Sequence, residues 1–118
     1  MVQGTLALSG GMVFDPDMLL LRPRDDDYMN DLPRPEDVAL VIELGGSSLA
    51  RDRQVKMPAY AAAGIAEYWI ADLEHESLIV HHEPGDDAYG RIETFRGEQT
   101  VTPRCLPELN LAVGKLYA

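Results

Sequence analysis

PEDVALVIELGGSSLARDRQVKMPAYAAAGIAEYWIADL, residues 35–73, sets the architecture of the chain. It reads as strand, glycine turn, helix, glycine stop, strand. Val38, Ala39, Leu40, Val41 and Ile42 form a continuous apolar run, the pattern of a strand covered on both faces. Glu43 follows directly, with Leu44 beyond it. A carboxylate beside such a run is costly unless it is paired, hydrogen-bonded or bound to a cation. Gly45 and Gly46 then turn the chain, and Ser47 or Ser48 is placed to cap a helix over 48–63. Pro58 falls inside that helix and predicts a kink, because its ring meets the carbonyl of Gln54. Gly64 supplies the stop, and a second strand is expected over 67–72.

Outward from this core the reading is coarser. Residues 3–8 alternate weakly and end at Gly10-Gly11, as a short strand would. Residues 13–21 read as a turn through Pro16 into a buried strand, Met18-Leu19-Leu20-Leu21. Residues 22–35 are polar, rich in Asp and Pro and without period, hence a surface loop. Asp25, Asp26 and Asp27 lie in it, where consecutive side chains diverge and like charges repel, so they read as solvated charge. Downstream, 77–82 should pair with 67–72 through a turn at Glu74-His75-Glu76. Residues 89–95 alternate, with Tyr89, Arg91, Glu93 and Phe95 on one face of a strand near the sheet edge. Leu109, Leu111 and Val113 are expected to close against the core. His81 and His82 point to opposite faces of a strand, cannot share one metal, and read as surface histidines.

Length and composition bound the function. A chain of 118 residues allows one domain, 1–118, with a single core. Hydrophobic residues at 46% and charged residues at 25% are those of an ordinary globular protein. No apolar run approaches the ~20 residues needed to span a bilayer, and the start lacks the pattern of a signal peptide, so a cytoplasmic protein is expected. Cys105 is the only cysteine, which excludes an intrachain disulfide and a zinc site built on several thiolates. Ten basic residues face twenty acidic ones, a net charge of −10. Non-specific affinity for nucleic acid comes mainly from Lys and Arg on phosphates, so this balance predicts weak DNA contact.

The succession IEL-x-x-SSLA-x-DR-x-x-K-x-x-x-YA-x-x-GI-x-EYWI-x-DL resembles the Uma2 family of endonucleases, within the PD-(D/E)XK restriction-endonuclease-like superfamily. The resemblance covers about Val13 to Val113, and Pro16-Asp17 ahead of Met18 looks like the family's other acidic position. It implies an α/β, restriction-endonuclease-like fold with a mixed central sheet flanked by a helix. It also implies DNA phosphodiester hydrolysis with Mg²⁺ or Mn²⁺ as cofactor. The metal ligands implied are Asp17, Glu43 and the backbone carbonyl of Leu44; the catalytic residues implied are Asp17, Glu43 and Lys56. Mg²⁺ suits such a site because it takes oxygen ligands and keeps several waters.

Two departures from the family pattern bear on that expectation. Gly45 stands two residues past Glu43, where the superfamily carries its lysine. Lys56, of the D-R-x-x-K motif, is the residue that would reach back from the helix. Similar proteins also carry an N-terminal helix ahead of this point; only a short stretch precedes Asp17 here, so that helix is expected to be absent or removed, which would leave a sheet face for a second copy to cover and predicts a homodimer. Structural alternatives stand beside each assignment. Lys56 could pair with Asp52 four residues away, a contact worth roughly 0.3–0.5 kcal/mol. Gln54 could act as a neutral partner at the site in its place. Glu43 could be salt-bridged to Arg51 or Arg53, and Asp17 could be a turn residue after Pro16. Tyr60, Tyr68 and Trp69 read as core aromatics, with Glu67 a structural acid near the site. The rival functions are a catalytically silent dimerising module that keeps the fold, and an acidic domain that mimics DNA.

Overall fold

The computed structural model describes residues 6–7, 13–14, 18–22, 34–45 and 49–117, with side chains omitted at 6–7, 13–14 and 49–53. Nine strands and one α-helix are described: β1 Leu6–Ala7, β2 Val13–Phe14, β3 Met18–Leu21, β4 Val38–Gly45, α1 Leu49–Ala62, β5 Glu67–Asp72, β6 Ser77–Pro84, β7 Tyr89–Arg96, β8 Thr100–Val101 and β9 Leu111–Ala112. The central sheet has five strands in the order β3-β4-β5-β6-β7. β4 and β5 run parallel, and the other pairs are antiparallel. This is the mixed sheet with a flanking helix that the sequence implies. β1 pairs with β2, and β8 with β9, as two small ribbons.

The parallel pair is joined by α1, the crossover that parallel strands require. The helix ends as Gly64 dictates. Gly64 sits at φ 79, its N–H bonds Ala61 O at 3.0 Å, and the Ile65 N–H bonds Tyr60 O at 3.1 Å. That pair of bonds closes the last turn with a left-handed residue that glycine adopts without penalty. Tyr89 Oη fixes the same corner from β7 by donating to Ile65 O at 2.7 Å. Ser47 and Ser48, the expected caps, lie outside the described residues.

Alternation along the strands sorts the core into two layers. Leu19, Val41, Tyr68 and Ile70 face α1 and pack with Tyr60, Ala61 and Ile65. Leu40, Trp69, Ala71, Leu78 and Val80 face the other way and meet Val101 and Val113 from the C-terminal segment. The β3–β4 register shifts between Leu20 and Leu21, so that Val38 faces the helix with Val41 instead of alternating away from it.

Several expectations are corrected. β4 runs on to Gly45, so Glu43 lies inside the strand and not just beyond it. His81 and His82 are buried, at 0% and 8% exposure, where surface histidines were expected. β6 is flanked by β5 and β7, and both of its faces are covered. His81 joins an aromatic cluster under the helix, 5.0 Å from the Tyr68 ring and 5.5 Å from the Tyr89 ring. Tyr89 and Phe95 do not share a layer: Tyr89 packs toward α1 and Phe95 toward the opposite side. Between the pairs His82↔Arg91 and Pro84↔Tyr89, Glu83 takes φ 61, which breaks the regular pleat at this end of the hairpin. Leu109 is 40% exposed, although Leu111 and Val113 do pack inward.

Candidate active site around Glu43

Glu43 shares its side of β4 with Val41, so alternation aims it at α1. It is 5% exposed, in a layer otherwise built from aliphatic and aromatic side chains. Such a carboxylate stays ionised only if its oxygens are met by donors. They are. Lys56 Nζ, from the second turn of α1, lies 3.2 Å from Oε1. Tyr60 Oη donates to the same oxygen at 3.1 Å, and Tyr68 Oη, from β5, donates to Oε2 at 3.1 Å.

Local geometry explains why these residues converge. Lys56 and Tyr60 are four apart on α1, and residues at that spacing share a helix face. Tyr68 is paired in register with Val41, two residues before Glu43 on the same side of the sheet. The rings of Tyr60 and Tyr68 meet at 4.8 Å between centroids, which fixes both hydroxyls. Burial, reinforced by the Glu43 charge, holds the Tyr68 phenol well above the usual tyrosine range. Tyr68 therefore keeps its proton at neutral pH and acts as a hydrogen-bond donor, not as a base. Of the four groups, the Lys56 side chain is the one that reaches solvent, at 28% exposure against 6% for the Glu43 side chain.

The structure thus brings Glu43 and Lys56 together and adds Tyr60 and Tyr68, which sequence reading had placed in the core alone. Asp17 lies outside the described residues, as do the side chains of Asp52, Arg51 and Arg53. Leu44 is described, and its side chain points to the other face of the sheet, where it is 50% exposed. Gln54 is exposed.

Glu67 is structural, but it is not near this site. It lies on the opposite face of β5, with Trp69. Its Oε2 accepts from Trp69 Nε1 at 2.7 Å, and its Oε1 accepts the Arg104 N–H at 3.0 Å. The buried carboxylate thereby pins the C-terminal segment to the sheet.

No group of three or more His, Cys, Asp or Glu side chains is placed to hold a metal ion among the described residues. What β4 offers is a carboxylate and, one residue on, a backbone carbonyl. These are hard oxygen donors of the kind Mg²⁺ and Mn²⁺ take, so the donor chemistry fits such an ion. Among the described residues no helix is long and apolar enough to cross a membrane.

The comparisons with known proteins agree with this architecture. The model of the Uma2 family, described as "Putative restriction endonuclease", matches residues 2–114. No curated protein matches at a significant level. Among solved structures, the chain is similar to a crystal structure described as "a putative nuclease belonging to DUF820" from Anabaena variabilis ATCC 29413. The TM-score is 0.71 at 16% sequence identity, over 99% of this chain and 66% of that one. At that identity the likeness shows a shared fold, and this chain spans about two thirds of that protein's length.

Proposed function

Because this chain belongs to the Uma2 family, we propose that it is a metal-dependent nuclease hydrolysing DNA phosphodiester bonds at the Glu43 site. The observation that carries the reading is the Lys56–Glu43 contact, 3.2 Å between an ammonium on α1 and a carboxylate on β4. Gly45 cannot supply the cation that the superfamily places two residues past its acid, and a lysine from the helix stands at the acid instead. Asp17 supports the reading through its place in the chain. It precedes Met18 by one peptide bond, and Met18 pairs with Ile42, the residue before Glu43.

Glu43, Asp17 and the Leu44 carbonyl would hold the ion. Bound there, Mg²⁺ or Mn²⁺ would lower the pKa of a water and polarise the phosphate. The side chains divide the remaining work. Tyr60 and Tyr68 hold the Glu43 carboxylate in one orientation, and the aliphatic layer beneath keeps bulk water from it. Lys56, partly in solvent, would face the charge that grows on the phosphoryl oxygens as a water oxygen bonds to phosphorus and the P–O bond to the leaving sugar oxygen breaks. A fixed ammonium is most effective there because that charge exists only in the transition state. With a net charge of −10, contact with DNA is brief and local to this site.

The test is plasmid nicking. Cleavage should require Mg²⁺ or Mn²⁺ and fail with Ca²⁺, whose looser coordination misplaces the attacking water. Lys56→Ala should slow it by about 10²-fold without weakening metal binding, since the ammonium competes with the cation at Oε1. A second reading, the catalytically silent module, is favoured by the fact that both Glu43 oxygens already have partners in the chain. Metal-independent nicking, or equal rates in wild type and Glu43→Ala, would support it over the nuclease.

A further inference from the structure

The turn that follows β5 carries a second pair of chemical groups, outside the Glu43 cluster and unused by it. His75 Nδ1 lies 2.8 Å from Asp72 Oδ2. The other carboxylate oxygen, Oδ1, accepts the N–H of Glu74 at 3.1 Å and that of His75 at 3.2 Å. Three donors thus fix one carboxylate. Burial pushes the Asp72 carboxyl up, but the hydrogen bonds from the His75 ring and from the two N–H groups outweigh it and hold the carboxyl below its usual range. Asp72 is therefore ionised at neutral pH, and the ring nitrogen that faces it is one that carries a proton. This sets the tautomer and the orientation of the imidazole. Nε2 is left pointing away, with no hydrogen-bond partner among the described residues. The Asp72 side chain is 14% exposed and that of His75 63%, so the anchor is sheltered while the ring stands in solvent.

An aspartate bonded to its own turn is by itself a common way to steady a corner. The place of this one in the sheet argues for more. β4 and β5 run parallel, with Glu43 opposite Ile70 and Gly45 opposite Asp72. Ile70 faces α1, as Glu43 does, so alternation puts Asp72 on the same face, one row nearer the carboxyl ends of the strands. Strand spacing and rise separate the Cα atoms of Glu43 and Asp72 by roughly 8 Å. The residue beside Asp72 on β4 is Gly45, so no side chain stands there to screen the turn from the acid. The turn is also tied to that glycine, because the Leu73 N–H donates to Gly45 O at 2.9 Å. Ligands of open α/β sheets sit beyond the carboxyl ends of parallel strands, and that is the end the His75 ring occupies.

We propose that His75 is the general acid of the Glu43 site, protonating the sugar oxygen that leaves when the phosphodiester is cut, with Asp72 as its positioning residue. The proposal rests on the nuclease reading and assigns a part that reading leaves open. The phenols of Tyr60 and Tyr68 both donate to Glu43, and Lys56 answers the charge on the phosphoryl oxygens. As the P–O bond to the sugar breaks, its electron pair stays on the sugar oxygen. That oxygen takes the proton from Nε2 of the imidazolium, and the neutral ring regains one from solvent. A group placed in this way acts only on the departing oxygen.

The experiment therefore compares two leaving groups with Mg²⁺ or Mn²⁺ present. One substrate is supercoiled plasmid, whose leaving sugar oxygen needs a proton. The other is the p-nitrophenyl ester of thymidine monophosphate, whose phenolate is stable without one. His75→Gln should slow plasmid nicking by about 10²-fold, the lower share of a general acid, and keep nitrophenolate release within about twofold of wild type. Asp72→Asn should show the same split less strongly, since the ring remains but is no longer held. Glu74→Gln, in the same turn, should match wild type on both substrates, and Glu43→Gln should lose both activities. Where the wild type does not accept the ester, a duplex with sulfur in place of the leaving oxygen supplies the second leaving group, because a thiolate also departs unprotonated. His75 is exposed, so its variant should keep the circular dichroism of the wild type. An equal loss on both substrates, or no loss on either, would overturn the role of His75 and leave the nuclease reading standing. A wild-type protein that cuts none of these substrates would overturn both.

Discussion

Two glutamates are buried in this small domain, one on each side of the same sheet, and they are held in different ways. Glu67 is 1% exposed and takes hydrogen bonds from an indole and from a backbone N–H. Both donors are neutral and rigid, and the contact ties the C-terminal segment to β5. Glu43, at 5% exposure, takes two phenols and a lysine ammonium from α1 and β5. One of these donors is charged and partly exposed to solvent. A carboxylate closed off by fixed neutral donors is a fastener; one whose charged partner reaches solvent is where the proposed function would exchange that partner for another cation. The difference in donors, more than burial, separates the structural acid from the candidate catalytic one.

Three expectations press on that comparison. The largest effect is on stability, at the fastener. Glu67→Ala leaves the Trp69 indole and the Arg104 N–H without their acceptor, and each unpaired buried donor costs about 1–3 kcal/mol. Urea unfolding should show a loss of about 2–5 kcal/mol, with nuclease activity per folded molecule unchanged. A loss below about 0.5 kcal/mol would mean that the C-terminal segment is held by its apolar contacts alone.

Tyr68→Phe acts on the other glutamate. It removes one hydrogen bond to a charged acceptor, a contact worth about 1.5–3 kcal/mol. Unfolding should register a loss in that range, and metal affinity should fall as well because the carboxylate is no longer held in one orientation. Tyr89→Phe makes the useful contrast, since its hydroxyl bonds Ile65 O at the helix end and not the acid. That variant should lose stability and keep metal affinity. Equal metal binding in both variants would demote Tyr68 to a packing residue.

The smallest effect is a pH dependence centred on His82. Burial lowers its pKa, with further pushes from Arg104 and Arg91 and opposing pulls from Glu67 and Glu93. The folded pKa therefore lies below the unfolded value of about 6.5. Between the two values the unfolded chain binds more protons, so this histidine's contribution to stability is present above about pH 6.5 and is lost as pH falls through the folded pKa. Wild type and His82→Asn, unfolded in urea at about pH 8 and about pH 5, should converge at the lower pH. A gap that widens on acidification would show that the Glu67 carboxylate outweighs burial.

The helix and the strands around it were legible because local signals agreed. The apolar run before Glu43, the paired glycines and Gly64 place β4, α1 and β5 to within a few residues, and the β5–β6 hairpin follows from its turn. What was not legible depends on which strand neighbours which. Nothing local says that β6 is flanked on both edges, and so the burial of His81 and His82 was missed. Tyr68 reaches Glu43 across a register that only the folded sheet defines. Tyr60 could have been found, since it stands four residues after Lys56 on the same helix face. Glu67 could have been placed as well, because period-two alternation puts it with Trp69 and away from Tyr68. Tyr60 and Tyr68 are core residues, as their apolar surroundings imply, and their hydroxyls also serve the acid.

The central claim is that the Glu43 carboxylate binds a divalent cation in place of its lysine partner. Calorimetric titration of Mn²⁺ into wild type and Glu43→Gln tests it directly. The amide oxygen can still accept from one tyrosine hydroxyl while the amide N–H donates to the hydroxyl oxygen of the other, so the fold is kept while the charge is removed. Wild type should bind one ion or two with heat that vanishes in Glu43→Gln and persists in Lys56→Ala. Identical titrations for wild type and Glu43→Gln would contradict the account and leave Glu43 as a second fastener, paired with Lys56 and nothing more.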